Sequence, residues 1–228
     1  MGIELTEIKK IWFKKIREKK ELLIKNRLIL DFCKEKEVLD VGCVGQDIDY
    51  SNPSWIHSQV KEIAEELAGV DINIDGIKEL NSMGYNISHY NELNYSKKFD
   101  VILMLDVIEH VDNPVEFIKN YQLFLKEDGK MVITTPNSNR AINFINILFK
   151  NEYSLNYEHT FWFCPKTFME VIERVESLTI NDFYWLSHYS KAKTLNWKNK
   201  IIYGLDSFLI KLRSNFAPNF MFVLELKK

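Results

Sequence analysis

The stretch Val38-Leu39-Asp40-Val41-Gly42-Cys43-Val44-Gly45-Gln46-Asp47 decides the fold. An apolar run ends in a carboxylate and then in closely spaced glycines. The run reads as a fully buried strand. The glycines let the backbone turn sharply and approach a ligand that a Cβ would repel. A helix after such a turn leaves free backbone N–H groups at the strand's carboxyl end, where open α/β sheets bind nucleotide-like ligands. The turn lacks the three glycines of the dinucleotide fingerprint, so a ligand without a pyrophosphate fits it more easily.

From Glu37 the chain alternates strand and helix. Strands are expected at 37–41, 67–71, 85–88, 99–105 and 130–135, with helices at about 56–66, 75–83 and 113–126. Asn52-Pro53, Asp75-Gly76 and Asn113-Pro114 open the three helices, and Asp128-Gly129 closes the last. Alternation of this kind predicts an α/β fold with parallel pairing and right-handed crossovers. After Thr135-Pro136-Asn137, helices are expected at 138–150 and 165–176 around an aromatic connection, then a strand at 177–186 and a last strand at 219–226. Residues 4–34 read as helix, with Ile8, Ile11, Trp12, Ile16, Leu22, Leu23 and Leu28 at helical spacing. The chain therefore divides into a helical appendage over 1–35 and one domain over 36–228.

A net charge of −2 offers no bulk attraction to nucleic acid or to an anionic membrane, although residues 9–25 are rich in lysine and arginine. The three cysteines, Cys33, Cys43 and Cys164, form neither a disulfide framework nor a CxxC metal pair, which points to a reducing, cytoplasmic compartment. The first residues show no apolar h-region, so no secretory signal is expected, and the apolar runs are far short of the ~20 residues needed to span a bilayer. Residues 197–213 carry Ile201, Ile202, Leu205, Phe208, Leu209 and Leu212 on one helical face, flanked by Lys198, Lys200, Lys211 and Arg213. Such a stripe packs against the sheet or makes a peripheral membrane contact, and the first is the commoner use.

Three groups of residues carry chemistry. Asp71 ends the segment Leu67-Ala68-Gly69-Val70, where a carboxylate suits two ribose hydroxyls. Asp106, Glu109 and His110 follow the strand Phe99–Leu105 at i, i+3 and i+4, so a helical turn would put them on one face. Two carboxylates and an imidazole can do acid–base work or hold a divalent metal. His159, in Glu158-His159-Thr160-Phe161-Trp162, can reach the same pocket or bond locally in its loop. The long connection Asp47–His57 either brings Trp55 and His57 over a bound ligand or staples them to a helix start.

Taken in order, the chain resembles class I S-adenosylmethionine-dependent methyltransferases. The matching runs are Val38–Cys43, Gly69–Asp71, Phe99–Ile102, Asp106–Pro114 and Gly129–Asn137. The resemblance implies a Rossmann-like, seven-stranded, mostly parallel sheet with helices on both faces and an antiparallel last strand. It implies S-adenosyl-L-methionine as cofactor, with Asp40, Gly42, Cys43 and Gly45 at its methionine end. Asp71 and Ile72 would hold the ribose, His89 and Tyr90 would lie near the adenine, and Asp106 and Val107 beneath the transferred methyl. The family's usual turn is DxGCGxG; Val44 and Gln46 stand here at its second and third glycines, so the turn must differ in shape.

Within the family, Asp106–Pro114 resembles the ubiquinone-biosynthesis O-methyltransferases, whose E-x-x-E-H arrangement is associated with a divalent metal. Glu109, His110 and His159 also match the small-RNA 2′-O-methyltransferases, with Asp106 in place of a glutamate. The whole pattern, including the loop Asn52-Pro53-x-Trp55-x-His57, is similar to enzymes that methylate sugars in surface-polysaccharide assembly. The implied activity is O-methylation of a small-molecule or glycan acceptor. His110 would act as base with Glu109 orienting it, or Asp106, Glu109, His110 and His159 would hold a metal. RNA 2′-O-methylation and non-catalytic cofactor binding are the alternatives.

Overall fold

The computed structural model describes residues 7–45, 49–50, 52–93, 96–152, 156–187 and 197–228. Gln46 and Asp47 of the glycine turn lie outside the described residues, as do the side chains of Lys198, Lys200, Ile201 and Ile202. The elements run α1 (Glu7–Glu18), β1 (Leu22–Ile24), α2 (Lys25–Cys33), β2 (Glu37–Val41), α3 (Ile56–Lys61), β3 (Glu66–Asp71), α4 (Ile74–Ser82) and β4 (Ile87–His89). There follow β5 (Phe99–Leu105), α5 (Pro114–Gln122), β6 (Leu125–Pro136), α6 (Ala141–Lys150), α7 (Pro165–Val175), β7 (Leu178–Ser187), α8 (Trp197–Leu212) and β8 (Asn219–Leu226).

The strands form one sheet in the order β1-β7-β8-β6-β5-β2-β3-β4. All pairs are parallel except those of β8, which runs antiparallel to both β6 and β7. The chain leaves β2 toward β3 and β4, then returns to β5 on the other side of β2. The strand order therefore reverses between β2 and β5, and the crevice above their carboxyl ends is where such sheets bind ligands.

Both sheet faces are covered, so the central strands read as unbroken apolar runs. Leu39, Ile102, Met104 and Ile133 point to one face and pack under α1, α5 and α7 through Trp12, Ile118 and Phe168. Val38, Val101, Leu103 and Val132 point to the other, under Ile29 and Cys33 of α2 and Val60 of α3. The Asn73 and Asn113 side chains accept hydrogen bonds from Gly76 N–H (3.0 Å) and Glu116 N–H (3.2 Å), capping α4 and α5 at the tips of the sheet.

Two expectations need correction. Residues 4–34 are not one helix: Leu22–Ile24 pair parallel with Trp185–Ser187 and add an eighth strand. The unpaired edge of β7 offers ladder hydrogen bonds to a short apolar tripeptide that helical periodicity alone cannot distinguish from helix. Among the described side chains, the stripe of α8 does not lie on the sheet: α8 packs on α6, and Leu205, Phe208 and Leu212 are exposed. Among the described residues no helix is long and apolar enough to cross a membrane.

Candidate active site

The turn after β2 is shaped by two close approaches. Gly42 has φ +74°, and a Cβ there would lie 2.5 Å from Val107 Cγ2. Gly42 N–H donates to Val70 O at 2.8 Å, which fixes the turn against β3. Val44, at the position of a family glycine, is buried against Ile77 and Leu80. A Cβ on Gly76 would lie 2.3 Å from Val44 Cγ1, so a glycine in α4 makes the space that Val44 fills.

The same turn holds Asp71. Its Oδ2 accepts from Val44 N–H at 2.9 Å, and its Oδ1 from Ile72 N–H (2.7 Å) and Asn73 N–H (2.9 Å). Three backbone donors fix the carboxylate at the edge of a cavity of about 520 Å³ that opens over the switch point, within the size range of small-ligand sites. Gly42, Ile72, Tyr90, Val107 and His110 also line it. His89 is not among the lining residues but packs against Tyr90, with ring centroids 4.5 Å apart.

Asp40, Cys43 and Gly45 are not on the cavity wall. The Asp40 carboxylate is buried and meets His57 Nδ1 at 2.7 Å. Trp55 stacks on His57 at 5.1 Å, and both are buried. Trp55 and His57 thus anchor the start of α3 beneath the turn rather than closing over the cavity. Cys43 is buried, and burial pushes its thiol pKa up, so it is no nucleophile.

Sequence periodicity missed much of the rest of the wall, which includes Asn91 and Leu93 and, on α5, Phe117 and Tyr121. The i, i+4 spacing of the two aromatics was a visible signal. It does not separate a cavity wall from ordinary core.

Residues 106–113 form turns rather than a helix, so Asp106, Glu109 and His110 do not share a helical face. Asp106 has φ +56°. Its Oδ1 accepts from Thr134 Oγ1 (2.9 Å) and Asn219 Nδ2 (3.2 Å), and its Oδ2 pairs with Lys25 Nζ at the start of α2. Asp106 is thereby turned from His110 toward β6, β8 and α2.

Glu109 is 1% exposed. Its Oε2 accepts from Thr135 Oγ1 at 3.0 Å, while Oε1 is buried with no hydrogen-bond partner among the described residues. Burial, reinforced by the negative charge of Asp106, pushes its pKa up from 4.5 to about 8. The Glu109 carbonyl accepts from Thr160 N–H (2.9 Å) and Phe161 N–H (3.1 Å), which docks the distant segment bearing His159. The His110 and His159 rings meet edge-on with centroids 4.7 Å apart. Burial and the neighbouring His110 lower the pKa of His159.

Glu109, His110 and His159 each offer one ligand atom within 4.8 Å of the others. Of the four residues expected to gather at a metal, Asp106 is the one not in the cluster. Glu109 and His159 face a second, smaller cavity of about 130 Å³ with Arg140, Asn143 and Trp162, while His110 lines the larger one. The three residues therefore stand between a nucleoside-sized cavity and a small polar one.

A family model described as a methyltransferase domain matches residues 13–176. The ubiquinone biosynthesis O-methyltransferase of Rickettsia bellii is 32% identical over 122 residues, covering 53% of this chain and 50% of that protein. The protein of that name from Rickettsia canadensis is 28% identical over 204 residues, covering 83% and 75%. The chain thus spans about half the length of the first of these relatives. Among solved structures, a SAM dependent methyltransferase from Archaeoglobus fulgidus superposes with a TM-score of 0.56 at 20% identity, covering 95% of this chain and 98% of that one. The small RNA methyltransferase HEN1 gives a TM-score of 0.56 at 15% identity, covering 90% of this chain and 25% of that one. At these identities the structural match speaks to fold alone.

Proposed function

Because the chain belongs to the methyltransferase-domain family over residues 13–176, we propose that it transfers a methyl group from S-adenosylmethionine to an oxygen of a small-molecule acceptor. One observation carries the reading: Asp71, held by three backbone N–H groups at the edge of the large cavity. The three N–H groups take both lone-pair sites of Oδ1 and one of Oδ2, so Oδ2 keeps a site for a ribose hydroxyl. The cavity volume and the apolar Ile72 and Tyr90 beside Asp71 suit the nucleoside, so the residues present fit this cofactor. When bound it supplies an already electrophilic methyl group, and the protein's part is mainly alignment.

His110 lines the large cavity and touches His159 at its other edge, a place from which it takes the acceptor's hydroxyl proton. Val107, packed on Gly42, supports the floor beneath the methyl group. Asp106 acts from outside the cavity wall: bonded to Thr134, Asn219 and Lys25, it fixes the turn that presents Val107 and His110. The curated relatives named as ubiquinone biosynthesis O-methyltransferases support oxygen as the acceptor atom. A sugar hydroxyl of a glycan is the form of acceptor that the resemblance of the whole pattern favours. Exposed Phe208 and Leu212 beside Lys211 and Arg213 support a peripheral membrane contact during capture of an apolar acceptor.

A divalent ion is the second feature of this reading, favoured by the unpartnered, buried Oε1 of Glu109. Glu109, His110 and His159 would hold it. It would lower the pKa of an acceptor hydroxyl.

The test is transfer of labelled methyl from S-adenosylmethionine to a panel of phenolic and sugar hydroxyls. His110→Ala should lower turnover by about 10²- to 10⁴-fold, the usual worth of a general base, while cofactor affinity holds. Unchanged turnover would remove His110 from the reaction. Chelation followed by re-addition of Mg²⁺, Mn²⁺ or Zn²⁺ separates the metal-assisted route from the plain base.

A further inference from the structure

A third cavity lies away from the cluster just described. It is about 450 Å³ and sits between α1, the start of α7 and the end of β7. Its apolar wall is Phe13, Ile16 and Trp185, and its cations are Lys10, Arg17 and Lys166. None of its ten lining residues is acidic.

The charge there is largely unbalanced. Lys10 meets Glu7 at 2.7 Å on an exposed side. Arg17 Nε donates to Phe13 O at 3.3 Å, and Lys166 Nζ stands 5.9 Å from the Phe13 ring. Neither Arg17 nor Lys166 has a carboxylate within ion-pair distance among the described residues. The neighbouring acids Glu170 and Glu173 both hold Lys9. The wall also includes Pro165 and Lys166, in the first turn of the eleven-residue helix α7. That turn contains no acidic residue, and its capping box is neutral: the Cys164 sulfur accepts from the Thr167 N–H, and Thr167 Oγ1 accepts from the Cys164 N–H at 3.0 Å. The positive end of the helix therefore adds to the two free cations. Both cations are exposed, but they flank an apolar wall whose base, Ile16 and Trp185, is almost fully buried.

We propose that this cleft binds a small amphipathic anion: an apolar chain or ring that ends in one carboxylate, sulfonate or phosphate. The apolar body lies along Phe13, Ile16 and Trp185. The head meets Arg17 and Lys166, with guanidinium and ammonium geometry suited to oxyanions. The cleft adjoins the Glu109 cavity through two segments, since Asn139 and Cys164 line the cleft while Ser138 and Trp162 line that cavity. The site stands independently of methyl transfer, and its test needs neither cofactor nor turnover.

Calorimetric titration with monomeric decanoate and decyl phosphate should show binding, while decyltrimethylammonium and inorganic phosphate should show none. Arg17→Glu/Lys166→Glu changes only exposed side chains and should weaken decanoate by at least about tenfold, the sum of two near-surface charge contacts. Leu148→Ser/Phe149→Ser, on the exposed face of α6, should leave decanoate affinity unchanged. Equal binding of decyltrimethylammonium, wild-type affinity in the charge-reversed variant, or loss of binding in the α6 variant would each overturn the proposal. Binding to phosphatidylglycerol vesicles without binding to decanoate would overturn it too, because the cations would then mark a membrane contact.

Discussion

Gly42→Ala should be destabilising for two separable reasons. The backbone there has φ +74°, and an L-residue with a Cβ in that conformation costs about 1–2 kcal/mol. The added methyl would also lie 2.5 Å from Val107 Cγ2. Relieving that clash by moving a half-buried valine and its turn costs another ~1–2 kcal/mol by the usual cost of overpacking. The total is then about 2–4 kcal/mol. Urea unfolding of the wild type, Gly42→Ala, Val107→Ala and the double variant separates the terms. Trimming Val107 removes the steric part and leaves the backbone part, so the cycle should show a coupling of at least ~1 kcal/mol. Cofactor affinity should fall with Gly42→Ala and recover only partly in the double variant. A loss under about 0.5 kcal/mol, or strict additivity, would refute the claim that the turn is pinned between Val107 and Val70.

Three further outcomes are expected. Val44→Gly, which restores the family's glycine, should lower stability by about 2–4 kcal/mol, because Val44 fills the space above Gly76; a neutral effect in thermal melts contradicts that packing. His57→Ala leaves the buried Asp40 carboxylate without its partner and should cost ~3–5 kcal/mol by guanidinium unfolding, with much less lost in the Asp40→Asn/His57→Ala pair. In chelator-treated protein, Glu109 binds its proton more tightly folded than unfolded, since its pKa rises from 4.5 to about 8. Its contribution to stability is complete below pH 4.5 and is lost as pH rises through 8, by at most about 1.4 kcal/mol per pH unit. Glu109→Gln should flatten that decline between about pH 5 and 8, and parallel wild-type and variant curves count against a neutral Glu109.

The parts of the structure legible in the sequence are those written in local pattern. The apolar runs that became β2, β3, β5 and β6 were readable because a strand buried on both faces has no polar alternation to confuse it. Asn113-Pro114 opens α5 through a side-chain cap that needs no distant partner. Asp71 reached the cavity edge because its place follows from the end of β3, with two of its three donors, Ile72 and Asn73 N–H, next to it in sequence. Distant partners decided the rest. Asp40 sits in the motif as a ligand contact would, yet His57 seventeen residues on claims it. Asp106 is drawn away from Glu109 and His110 by Lys25, Thr134 and Asn219, none of them near it in sequence. Leu22–Ile24 became a strand only because β7 had an open edge to receive it. The meeting of His110 with His159 depends on Glu109's carbonyl bonding the 160–161 backbone, a contact that no periodicity encodes.

The most direct measurement is calorimetric titration of S-adenosylhomocysteine into the wild type and into Asp71→Ala. A single site in the wild type, weakened about 10- to 100-fold by the substitution, is expected where a buried carboxylate accepts a ribose hydroxyl. No heat of binding in the wild type, or equal affinity in a folded Asp71→Ala, would contradict a nucleoside seated over β2 and β3.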